Sequence, residues 1–72
     1  MATITRDQAE ELQMRLTMSA LYARDEGWSI TALEIGDQAA QVAEAVAAAG
    51  PNTLLELQGD MLDAAVTFGF IN

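Results

Sequence analysis

The chain contains no cysteine and no histidine. Without cysteine there is no disulfide framework, no thiolate nucleophile and no sulfur-ligated metal. Without histidine there is no imidazole base, so neither a Ser-His-Asp nor a Cys-His arrangement can be built. Lysine is also absent, and the three bases are Arg6, Arg15 and Arg24. That removes Schiff-base chemistry and a phosphate-binding P-loop. Long apolar runs are missing too. The longest stretch without a charge, Ala45 to Leu55, is too short to span a bilayer and is interrupted by Gly50-Pro51. Residues 1–10 carry no apolar core of the kind a signal peptide needs, and a cytoplasmic, intracellular protein is expected.

What remains is acidic and apolar. Eleven Asp and Glu residues against three Arg give a formal net charge of −8. Such a surface argues against anionic membranes and against direct contact with nucleic acid. Hydrophobic residues make up 51% of the chain, too many for a polypeptide that fails to collapse. With 72 residues, the chain accommodates one domain over residues 1–72. A core this thin leaves room for help from a partner or a second copy.

Gly27 and Gly50-Pro51 divide the chain into three segments, each with helical periodicity. The first helix is expected over about residues 6–26, opened by a capping box of Thr5 with Gln8. It carries two apolar arcs. Ala9, Leu12, Leu16, Ala20 and Ala23 form one, while Met14, Met18, Leu21 and Tyr22 lie nearly opposite. A helix with a single buried face has no need of the second arc. The second helix is expected over about 31–49, with Thr31 and Glu34 as capping box and Ile30 and Ile35 as hydrophobic staple. Ile35, Ala39, Val42, Ala43 and Val46 share its apolar face. Gly36 lies at the edge of that face with Ala40, Ala43 and Ala47 nearby, and small residues there allow another helix to approach closely. Gly36-Asp37 could instead break this helix. The third helix is expected over about 53–68, from a Thr53/Glu56 capping box to a Gly69 cap. Its apolar arc is wide, taking in Leu54, Leu55, Leu57, Met61, Leu62, Ala64, Ala65, Val66 and Phe68, and demands cover on more than one side. Strand readings are poor, the best being a short extended piece at 28–35. The fold expected is all-α, a small three-helix bundle with short Gly/Pro-containing connections, dimeric in solution.

Few constellations could carry chemistry. Glu56, Asp60 and Asp63 at spacing i, i+4, i+7 would share one helical face. A row on one straight helix points outward and cannot surround a cation, so a solvated face is expected and no metal. Asp60-Met61-Leu62-Asp63 resembles the Asp-Ser-Leu-Asp/Glu motif of acyl carrier proteins, which are likewise small, acidic and helical. Met61 stands where that family carries its phosphopantetheine serine, so the resemblance implies no carrier chemistry, and no cofactor is expected. No pair of carboxylates is placed to be buried and facing, so no enzymatic activity is expected.

Protein contact is the more natural use of these residues. The Met14, Met18, Leu21, Tyr22 arc is adaptable apolar surface. Asp25 and Glu26 would oppose the macrodipole if the first helix reaches them; either it ends earlier or they serve a basic partner. Trp28, the only tryptophan, would cap the core under the first turn or anchor an interface. These residues together are the candidate protein-binding site. The expected function is a small acidic module that inhibits or regulates by steric occlusion, of phage or bacterial type. It would dock on a basic protein surface such as a nucleic-acid site, with homodimerisation. The alternative is a structural homo-oligomer whose apolar faces meet only copies of itself.

Overall fold

A computed structural model describes residues 2–71. Two long helices, α1 (Arg6–Asp25) and α2 (Ser29–Ala48), dominate it. A short helix α3 (Gly59–Thr67) and two strands, β1 (Thr3–Thr5) and β2 (Leu54–Glu56), complete the chain.

The capping box expected at the start of α1 is formed. The Gln8 N–H donates to the Thr5 hydroxyl oxygen at 3.1 Å, and the Thr5 N–H donates to the Gln8 side-chain carbonyl at 2.9 Å. α1 ends in a Schellman motif. Gly27, at φ 83°, donates its N–H to the Arg24 carbonyl, and Trp28 donates to Ala23 at 2.8 Å. That turn delivers the chain directly into α2. Ser29 is already helical, and Ala32 donates to the Trp28 carbonyl. The Thr31/Glu34 box expected from sequence is therefore inside the helix, and Trp28 is an N-cap without a side-chain bond. α2 continues unbroken through Gly36-Asp37, and residues 29–35, the alternative extended piece apart from Trp28, are helical.

The third segment departs most from expectation. Residues 53–58 are not helical, and α3 starts at Gly59. Gly50-Pro51-Asn52-Thr53 makes a tight turn closed by the Thr53 N–H on the Gly50 carbonyl. Pro at its second position and a left-handed Asn52 (φ 63°) at its third match a type II turn. β2 then pairs antiparallel with β1 in the register Thr3 to Glu56, Ile4 to Leu55, Thr5 to Leu54, and the Leu57 N–H extends the ladder to the Ala2 carbonyl. Leu55 and Leu57 point into the core while Leu54 and Glu56 point out, a period of two. Gly59 sits at φ 57°, so a helix starting at Thr53 could not have passed through it. The fold is thus mostly helical with a small two-stranded sheet, in place of the expected all-α bundle.

Ile4, Leu12, Leu16 and Val42 are fully buried at the centre, with Ala9, Ala39, Val46, Leu55, Leu57, Ala64 and Ala65 around them. Phe68, Phe70 and Ile71 pack against this cluster, so the apolar tail is half-buried. A second Schellman motif, Gly69 to Val66 and Phe70 to Ala65, folds that tail back. One face of the α1–α2 hairpin is covered: Leu16 and Ile35 line a small cleft there together with Ala64 and Phe68 of the α3 segment. The molecule measures 38 × 24 × 16 Å. The opposite face of the hairpin is bare.

Candidate protein-docking surface

The two arcs expected on the first helix separate except at Ala20. Ala9, Leu12, Leu16 and Ala23 are buried, Ala20 is half-buried at the groove, and Met14, Met18, Leu21 and Tyr22 are exposed. The latter therefore form an apolar ridge on α1 that the chain itself does not cover. α1 does not end before its acids. Asp25 is its last residue and Glu26 its C-cap, so both carboxylates lie at the negative end of the helix, beside Arg24.

Trp28 does not cap the core. It is 53% exposed and lies outside the buried cluster. The Schellman motif turns it outward at the hairpin bend, where its ring meets that of Tyr22 edge to face. The bend thus presents two aromatic rings next to two carboxylates.

Sequence reasoning missed Ile30 and Leu33, which are 75% and 70% exposed on the first turns of α2. The staple of Ile30 onto Ile35 expected from the sequence presumes a helix beginning at Thr31; with α2 starting at Ser29 that geometry is gone. Leu33 and Leu21 stand on the walls of an open groove between α1 and α2, on the bare face of the hairpin. Ala20, Ala32, Gly36 and Ala39 also line it, its volume is about 510 Å³, and Arg24 is its only charged lining residue. Of the small residues expected to admit another helix, Gly36 lines the groove, whereas Ala40, Ala43 and Ala47 do not; Ala32 and Ala39 stand beside it instead.

The cations are mostly engaged internally. Arg6 approaches Glu10 at 3.7 Å, and Arg15 pairs with Glu11 at 3.1 Å while its guanidinium lies over the Phe70 ring at 5.7 Å. Arg24 makes no ion pair among the described residues. The acidic row is divided by the fold: Glu56 lies on β2, and Asp60 and Asp63 on α3. Among the described residues no group of three or more acidic side chains is placed to hold a metal ion. Among the described residues no helix is long and apolar enough to cross a membrane.

Comparison with protein-family models, curated proteins and solved structures finds no match to this chain.

Proposed function

We propose that this chain is a non-enzymatic protein-binding module, a steric inhibitor or regulator of phage or bacterial type that docks on a basic protein surface. The observation that carries the reading is the exposed apolar surface that runs along α1 to the hairpin bend. Met14, Met18, Leu21, Tyr22 and Trp28 are exposed, with Ile30 and Leu33 beside them, on a chain of net charge −8. Isolated exposed apolar residues need no explanation, but a group on two adjoining helices marks an interaction site. Tyr and Trp anchor interfaces well because they bring large contact area with few rotatable bonds. Asp25 and Glu26 next to them would steer the module towards positive potential and hold register on arrival. Basic protein surfaces are commonly nucleic-acid sites, so occlusion of such a site is the natural outcome.

The test is affinity capture from host lysate with the wild type and a Tyr22→Ala/Trp28→Ala variant, read by mass spectrometry. A single basic protein retained by the wild type, lost by the variant and weakened by salt supports the reading. Retention that the variant leaves unchanged would remove the bend from the interface.

A second reading, a structural homo-oligomer, is favoured by the amount of apolar surface left open on α1 and α2. Sedimentation equilibrium at micromolar concentration, read beside the lysate capture, separates the two. A dimer or larger assembly that retains no foreign protein supports the oligomer; a 7.7 kDa monomer, or a dimer that still captures a basic protein, supports the module.

A further inference from the structure

Resting on the binding-module reading, we infer that the groove between α1 and α2 is the seat of a basic amphipathic helix belonging to the protein partner. Three features of the groove select this occupant.

The first is its walls. Both are helices, whose backbone groups are satisfied internally. Of the polar side chains lining the groove, the Thr17 hydroxyl already donates to the Gln13 carbonyl. An extended segment laid here would find almost no partners for its own N–H and C=O groups. A helix brings its backbone bonds with it and needs only apolar contact.

The second is its floor. Ala20, Ala32, Gly36 and Ala39 leave depth between the Leu21 and Leu33 walls, which lets a third helix pack at close interaxial distance. A Cβ built on Gly36 meets nothing within 4 Å, so the space above it is open.

The third is charge, which decides between a foreign helix and a second copy. Asp25 and Glu26 lie at the bend that closes one end of the groove. On α2, Asp37 stands one helical turn from Leu33. None of these three has an ion-pair partner among the described residues. Arg6 and Arg15 are held by Glu10 and Glu11, leaving only Arg24 for a second copy to offer to those acids. A dimer across this face would bring like charges together. A helix with an apolar stripe flanked by Lys and Arg meets both the floor and the rim, and its apolar stripe keeps its cations clear of Arg24.

Two synthetic amphipathic helices test this against the full chain by calorimetric titration. Both carry leucine along one face; the polar face is lysine in one and glutamate in the other. The lysine helix should bind, the glutamate helix should not, and added NaCl should weaken the complex. Gly36→Leu should fill the groove and weaken binding by at least about tenfold, a hot-spot-sized loss. Circular dichroism should show that this variant keeps its helicity, because leucine favours helix over glycine. Leu54→Asp, exposed on β2 and away from the groove, should leave the lysine helix bound.

Equal binding of both helices would overturn the charge argument. Binding lost in Met18→Asp and kept in Gly36→Leu would move the site to the outer ridge, overturning the groove as seat while leaving the binding-module reading intact. A wild-type dimer that Gly36→Leu dissociates would assign the groove to a second copy and overturn the proposal. Absence of any binding by the lysine helix would overturn it as well, and the lysate capture above would then judge the module reading separately.

Discussion

Tyr22 and Trp28 meet edge to face across the α1–α2 bend, with ring centroids 5.9 Å apart and planes at 79°, while both rings stay more than half exposed. An aromatic pair of this geometry contributes about 0.5–1.5 kcal/mol beyond simple burial. Trp28→Ala should therefore lower stability by roughly that amount and leave the fold intact, since no core residue depends on it. Chemical denaturation of Tyr22→Ala, Trp28→Ala and the double variant gives the coupling directly. Additive effects of the two single changes would show that the rings do not interact in solution.

Met18 and Leu16 lie two residues apart on α1 with opposite fates, 65% and 1% exposed. Leu16→Asp would bury an unpaired carboxylate at the centre of the core, a cost of several kcal/mol that a chain of this size cannot absorb. Met18→Asp places the same charge in water and should leave the far-ultraviolet circular dichroism unchanged. If Met18→Asp loses helicity as Leu16→Asp does, both arcs belong to one core. A lower melting point on dilution of the wild type would then identify folding coupled to dimerisation.

The helical hairpin was legible in the sequence because its signals are local. The Thr5/Gln8 box, the period of Leu12, Leu16 and Ala23, and Gly27 as the stop all act within a few residues of themselves. The misreading of 53–58 has an equally physical origin. Thr53 and Glu56 have the spacing of a capping box, and Leu54, Leu55 and Leu57 fit a helical arc as well as a strand. Pairing with β1, about fifty residues away in the chain, settles the matter, and no short window contains it. The width of the arc assigned to the third helix was the clue: it combined a strand that alternates inward at Leu55 and Leu57 with a helix that buries Ala64 and Ala65. Of the candidate site, the exposed α1 ridge could be read from periodicity. The groove could not, because it exists only between two elements.

Charge should limit stability at low ionic strength. The eleven acids face three arginines, and Arg6 and Arg15 are committed to neighbours on their own helix. Exposed pairs of that kind contribute at most about 1 kcal/mol each, too little to offset repulsion among the remaining carboxylates. Added NaCl shortens the reach of that repulsion to about 10 Å at 0.1 M, so the melting temperature should rise between low and moderate salt. A flat or falling response would mean that the acids are relieved locally.

Gly36 and Gly59 offer opposite responses to the same substitution. Gly36 lies inside α2 with helical neighbours on both sides and open space where a Cβ would go. Gly36→Ala should stabilise the chain by about 1 kcal/mol, the difference between the two residues in a helix interior. Gly59 opens α3 at φ 57°, a left-handed conformation that a Cβ disfavours, although the space around it is equally empty. Gly59→Ala should destabilise by about 1 kcal/mol for that reason alone. Were residues 53–68 a continuous helix, Gly59 would be an interior helical position and its replacement by alanine would stabilise. Thermal melts of the two variants against the wild type therefore decide between the strand-turn-helix arrangement and a single long helix. A gain in both variants would count against the β1–β2 ribbon.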